Sequence, residues 1–273
     1  MSEEEAATAA ERFRENNGLG IAPIADLIAL IEQAERIGVT VLPVADDNEH
    51  GLTMVDPDRG ATIVAVATSE RPMRWRSNLA HELGHLVFHD HVAGEPASLA
   101  EKTPAEERAR AFARHLLLPA AAVSRFVAQI RTFDLAALSD LVQRFQVSPA
   151  IAAVQLRDGG HIDDERCQEW SKIGTPRLAA EFGWADHYRA LQALSATRRA
   201  PQRLLARATS GYLKGVVSLE TLAGIRGITA PEIASELEAA GLTPDSLDGT
   251  TPPADVVSDE PGEFIDLSWL DDE

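Results

Sequence analysis

Residues 78–88 read Asn78-Leu79-Ala80-His81-Glu82-Leu83-Gly84-His85-Leu86-Val87-Phe88. Leu79, Leu83, Leu86 and Val87 recur at helical spacing, so the stretch predicts a helix with one side against a core and the histidines at the edge of a cleft. His81 and His85 stand at i and i+4. On a helix these positions lie one above the other, at a separation that a single Zn2+ can bridge. Glu82, one residue along, falls beside the place an open ligand of that ion would take. A carboxylate there can accept a proton from water and later pass it to a leaving amine. A purely structural metal site has no need of such a base, so the pentapeptide points to hydrolytic metal chemistry.

A catalytic zinc site of this kind takes three protein ligands. Downstream candidates are His89, His91, Glu95, Glu101, Glu106, Glu107 and His115. His89 shares the face of His85 but sits a full turn beyond the metal, and His91 falls near the expected helix end. A second helix is expected to open at Thr103-Pro104, with Thr103 as N-cap and Pro104 at the first helical position. Glu106, Ala109 and Ala113 then share one face, and the small alanines allow a close approach of two helices. A carboxylate in that row can reach across to the histidines.

Ala80-His81-Glu82-Leu83-Gly84-His85-Leu86, then Glu106-Glu107-Arg108-Ala109-Arg110-Ala111-Phe112-Ala113, then Leu116-Leu117-Leu118-Pro119 resembles the ImmA/IrrE family of metallo-endopeptidases. That family shows an AHELGH block followed by a helix of the form E-x-x-A-x-x-F-A-x-x-L-L-x-P. The resemblance covers residues of about 20 to 160 well. It implies a zinc ion held by His81, His85 and a glutamate, with Glu82 as general base. Glu106 aligns with the glutamate three before the alanine. Many members carry an acid directly before that alanine, where this chain has Arg108, which leaves the choice between Glu106 and Glu107 open. A turn of about 100° separates the two, so one of them faces the metal. Glu106 is the favoured ligand, and Glu107 is expected as a first-turn carboxylate interacting with the helix dipole.

The pattern along the chain predicts an α+β fold. Helices are expected over residues 3–16 and from Ile24 to Ile37. The period then switches to strands at Val39–Val44, Gly51–Val55 and Ala61–Thr68, with turn residues Asp46-Asp47-Asn48 and Asp56–Gly60 between them. The expected product, over residues 1–130, is a zincin-like peptidase domain: a small antiparallel sheet beside the HExxH helix, with an edge strand able to receive an extended substrate. Residues 131–242 read as an all-helical domain with helix-turn-helix-like units. Leu141, Val147, Ser148, Ala153, Leu156 and Gly160 match Leu222, Ile228, Thr229, Ala234, Leu237 and Gly241, in the same register 81 positions later. Residues 243–273 read as an acidic disordered tail. Its end, Phe264-Ile265-Asp266-Leu267-Ser268-Trp269-Leu270, has the form of a docking motif.

Net charge is −18, and ten of the carboxylates lie between Thr243 and Glu273, where there is no Lys or Arg. The rest of the chain therefore stays near −8, a balance that disfavours nucleic acid as a partner, since such binding draws its affinity from phosphate neutralisation. The one basic cluster, Arg198-Arg199-Ala200-Pro201-Gln202-Arg203 with Arg207 beyond, is expected as a solvated helix face. No basic segment with a hydrophobic stretch behind it opens the sequence and no apolar run nears about 18 residues, so neither an export signal nor a membrane span is expected. The lone Cys167 fits a reducing compartment.

These readings give the expectation of a cytoplasmic zinc endopeptidase. The resemblance implies a substrate: a helix-turn-helix transcriptional repressor controlling stress or mobile-element genes. The rival is a metal-containing, non-proteolytic regulatory protein that docks partners through its helical half and tail. The intact Glu82 argues against that rival.

Overall fold

The computed structural model describes residues 2–34, 37–43, 51–56, 61–90 and 103–244. The turns expected at 46–48 and 57–60, and the acidic segment from 245 onward, lie outside the described residues. Helix α1 (Ser2–Asn16) carries Glu3, Glu4 and Glu5 in its first turn and Arg14 in its last, the signs each end of a helix dipole favours. Helix α2 (Leu27–Ala34) is shorter than the Ile24–Ile37 expected. It starts late because Asp26 Oδ1 accepts from the Ala29 N–H at 2.9 Å, a capping bond that fixes the first turn there. Ile24 is buried all the same, and its carbonyl accepts from Arg76 Nη2 at 2.7 Å.

Strands β1 (Gly38–Leu42), β2 (Gly51–Asp56) and β3 (Ala61–Ala67) form one sheet in the order β1-β3-β2. β2 and β3 are an antiparallel pair with Thr53 opposite Val64. β1 is parallel to β3, with Val39 opposite Val64. The sheet is therefore mixed, where an antiparallel one was expected. Apolar alternation marks a strand without marking its direction. The β2–β3 hairpin reverses the chain, whereas β1 enters on the far side of β3 and runs the same way. Val39, Val41, Val64 and Val66 alternate onto the core face. The outer edge of β1 is met at one point by Arg199: the Val41 N–H donates to the Arg199 carbonyl at 2.8 Å, and the Arg199 N–H donates back at 3.0 Å.

Helix α3 (Pro72–Val87) packs on β2 and β3, and α4 (Pro104–Leu117) lies between α3 and α1. The rest is helical: α5 (Ala120–Val127), α6 (Leu135–Phe145), α7 (Pro149–Asp158), α8 (Asp164–Ser171), α9 (Thr175–Glu181), α10 (Ala185–Ala196), α11 (Gln202–Leu213), α12 (Leu219–Arg226) and α13 (Ala230–Ala239). The fold is α+β with a helical C-terminal half. One compact unit runs to Ala206 and includes Ile225–Gly227; the other comprises Arg207–Gly224 and the chain from Ile228.

In the first unit one core joins the sheet, α1 to α4 and the helices as far as α10, with Phe112, Leu79, Leu83, Leu116 and Leu138 fully buried. Buried Arg14 donates from Nε to the Gly20 carbonyl at 2.7 Å, from Nη1 to Leu116 at 2.5 Å, and from Nη2 to Ala22. With Arg76 it ties the carbonyls of the connection before α2 to the core of the domain. The second unit has a smaller apolar set, with Leu222, Ala223, Ile233 and Leu237 among its buried residues.

The local geometry around α6–α7 reappears around α12–α13. Gln146 and Gly227 both have positive φ (51° and 77°), and so do Gly160 and Gly241 (72° and 71°). Ser148 and Thr229 are the N-caps of their second helices. Helix α7 packs closely against α8, and its terminal Arg157 pairs with neighbouring Asp158 at 2.7 Å.

Candidate metal centre

The site begins with an unusually close helix pair. A Cβ added to Gly84 on α3 would stand 3.1 Å from Ala109 Cα and 3.2 Å from the Phe112 ring on α4. With glycine on one helix and alanine on the other, the backbones meet where larger residues would hold them apart. Glu106, one turn before Ala109, is thereby carried over to the histidine face of α3. Thr103 fixes the start of α4 by accepting from the Glu106 N–H at 3.2 Å. This cap sets the rotation at which Glu106 points inward and Glu107 is exposed.

Three side chains converge there. His81 Nε2 and His85 Nε2 are 3.1 Å apart. Glu106 Oε2 is 3.1 Å from His81 Nε2, and Oε1 is 3.1 Å from His85 Nε2. All three residues are buried, and one ligand atom from each lies within 4.8 Å of the others. Glu106 Oε2 is buried and accepts no hydrogen bond from the described residues, although Arg110 Nη2 stands 3.5 Å away. Two imidazole nitrogens and a carboxylate aimed at one point, with a buried acceptor left over, are costly to bury without a cation among them. The donor set of two nitrogens and one oxygen fits a zinc-type ion with an open fourth position.

Glu82 lies beside this group under the edge strand. Thr53 Oγ1 on β2 donates to Glu82 Oε2 at 2.9 Å. A Cβ on Gly51, two residues earlier on the same face of β2, would lie 2.5 Å from Glu82 Oε1, so a side chain there would displace the carboxylate.

Residues 34–157 match the model of the Peptidase_M78 family, described as an IrrE N-terminal-like domain. The chain carries a Peptidase_M78 domain. The ImmA/IrrE resemblance stands, and the family is one of metallopeptidases. Comparison with curated proteins finds no match. The Peptidase_M78 match runs from the last residue of α2 through the sheet and α3 to α7; α12 and α13 lie beyond it.

Within the Peptidase_M78 domain, burial dominates the electrostatics of the site. It pushes His81 down to about 3, reinforced by His85 and Arg110 nearby, so His81 is a neutral lone-pair donor. Burial also pushes the Glu82 carboxyl up to about 7; the Thr53 hydrogen bond opposes this and the neighbouring Glu106 adds to it.

The remaining ligand candidates are placed elsewhere. His89 follows the end of α3 in a left-handed conformation (φ 54°) and does not continue the face of His85. His115 has Nε2 2.7 Å from Glu3 Oε1 and Nδ1 3.4 Å from Gln155 Nε2. His91, Glu95 and Glu101 lie outside the described residues. Sequence reasoning missed Thr53 and Gly51. Their one signal was a glycine and a hydroxyl two apart in a strand otherwise suited to branched residues.

Proposed function

We propose that the chain is a cytoplasmic zinc-dependent endopeptidase that cleaves a helix-turn-helix transcriptional repressor and so controls stress or mobile-element genes. The observation that carries the peptidase reading is the buried His81–His85–Glu106 group with Glu82 held beside it by β2. When bound, zinc would supply Lewis acidity toward the scissile carbonyl and would acidify water. His81 and His85 would hold it through Nε2, and Glu106 through its carboxylate. Glu82 would take a proton from the attacking water and return it to the leaving amine. Thr53 fixes one carboxylate oxygen of Glu82, leaving Oε1 as the atom on which the proton is held. The outer edge of β2 has no strand partner among the described residues, and its free N–H and C=O groups suit an extended peptide added as a further strand.

A protein substrate follows from the peptidase family; a repressor as that substrate rests on the ImmA/IrrE resemblance. Among the described residues no helix is long and apolar enough to cross a membrane. A protein rather than a DNA target is supported by the net charge of −18, by the Arg157–Asp158 pair, and by the cover α8 gives α7. The test is to incubate the zinc-loaded full chain with purified helix-turn-helix repressors, and to locate any cut by mass spectrometry. Cleavage by the wild type and none by Glu82→Gln, with zinc retained in both, supports the reading. Cleavage by Glu82→Gln at the wild-type rate would overturn the mechanism.

A further inference from the structure

Helix α3 ends in a way that returns the chain to its own metal-facing histidine. The His89 N–H donates to the Leu86 carbonyl at 3.1 Å and the Asp90 N–H to the His85 carbonyl at 3.0 Å, with His89 left-handed between them. This is a Schellman cap, whose left-handed position is ordinarily filled by glycine and is here taken by a histidine. The cap folds Asp90 back beneath His85. Asp90 Oδ2 lies 3.8 Å from His85 Nδ1, the ring nitrogen pointing away from His81 and Glu106. That oxygen is buried and has no hydrogen-bond partner among the described residues. The other carboxylate oxygen, Oδ1, accepts from Arg108 Nη2 at 2.6 Å. Arg108 is in turn fixed: Nη1 is 3.3 Å from Glu5 Oε1, and the guanidinium lies 4.5 Å over the Phe88 ring.

We propose that Asp90, clamped by Arg108, is the positioning residue for His85: its Oδ2 accepts a hydrogen bond from His85 Nδ1–H, which holds the proton on Nδ1 and leaves the Nε2 lone pair aimed at the metal. The inference rests on the reading of His85 as a metal ligand and assigns it an outer partner. A ligating imidazole characteristically donates its second N–H to a carboxylate, which sets the tautomer and the ring orientation. Here the acceptor is buried and unpartnered among the described residues, and the donor stands 3.8 Å away. Arg108 thereby gains a role in the site. An acid there would repel Asp90, whereas the guanidinium holds it at the one oxygen His85 does not need.

The test uses the full-length protein. Zinc affinity is measured by competition with a chromogenic chelator, and the His85 Nδ1–H resonance is followed by 15N-edited NMR of the zinc-loaded protein. Asp90→Ala should weaken zinc by about tenfold to a hundredfold and remove the slowly exchanging, downfield Nδ1–H signal. Asp90→Asn keeps the shape but has a single acceptor oxygen, which Arg108 claims, so its NH2 faces His85 and the affinity and the signal should fall as they do in Asp90→Ala. Arg108→Met should leave the signal present but shifted, with a smaller loss of affinity. Unchanged affinity and an unchanged Nδ1–H signal in folded Asp90→Ala would overturn the proposal, and a drop in thermal stability alone would reduce the pair to a strut between helices. Absence of zinc from the wild type would sink the metal-centre reading itself, and this proposal with it.

Discussion

The hydroxyl of Thr53, on the edge strand, donates to Glu82 Oε2 at 2.9 Å, so the sheet grips the carboxylate that the HExxH helix presents. The bond favours the ionised form of Glu82 against the burial that opposes it. Thr53→Val preserves the shape and removes the donor. In a cleavage assay kcat should fall about tenfold, the scale of one hydrogen bond to a charged group, with KM little changed. The acidic limb of the pH–activity profile should move to higher pH. An unmoved limb would show that Thr53 does not act on Glu82.

Gly51 guards the other oxygen. A methyl at this position would stand 2.5 Å from Glu82 Oε1 and 2.9 Å from Cδ, contacts resolved only by swinging the carboxylate aside. Because the obstacle is the end of a side chain, Gly51→Ala should leave the melting temperature within a few degrees of wild type. A displacement of about 1 Å in a reacting group costs on the order of a hundredfold in rate, and that loss is expected in kcat/KM. Full activity in a folded Gly51→Ala protein would mean that Glu82 does not work from this position.

Glu106 and Glu107 divide the roles that adjacent carboxylates in one helical turn can take. Glu106 is buried 3.1 Å from both imidazole nitrogens, and Glu107 is exposed. Elemental analysis after dialysis should find one zinc per chain in the wild type and in Glu107→Ala, and little in Glu106→Ala. Zinc retained in Glu106→Ala and lost in Glu107→Ala would reverse the assignment.

The parts of this site that could be read in the sequence are the local ones. The spacing of His81 and His85, the Thr103-Pro104 start of α4 and the Glu106–Ala109–Ala113 row are each set within a single helix, and they lead to the group the structure brings together. Thr53 and Gly51 reach Glu82 from a strand some thirty residues earlier, and no periodicity encodes which strand face meets which helix. The parallel direction of β1 is hidden for the same reason, because alternation is identical in either direction. Gln146 takes a left-handed turn without the glycine that marks the matching turn at Gly227, so the likeness of the two turns shows in backbone angles rather than in residues. Nothing in the sequence signals the place of Asp90 either. Its return to His85 depends on the left-handed His89, a conformation no glycine announces.

In the metal-free protein His81 and Glu82 make stability depend on pH in opposite senses. The fold keeps His81 neutral down to about 3, whereas an unfolded histidine takes up its proton near the ordinary 6.5. Between those values the unfolded chain binds the extra proton, so this contribution is lost as pH falls from 6.5 toward 3. Glu82 keeps its proton up to about 7 in the fold against an ordinary 4.5. There the folded chain binds the extra proton, and stability declines as pH rises from 4.5 to 7. Glu82→Gln removes the second dependence and leaves the first. In chelator-treated protein unfolded with urea, the variant should be more stable than wild type at pH 8 by on the order of 2–3 kcal/mol. Near pH 4.5 the two should be nearly equal. A gain of the same size at both pH values would mean that it comes from packing and not from relief of a buried charge. Adding zinc should shrink the gain at pH 8, because a cation beside Glu82 stabilises the carboxylate that burial penalises.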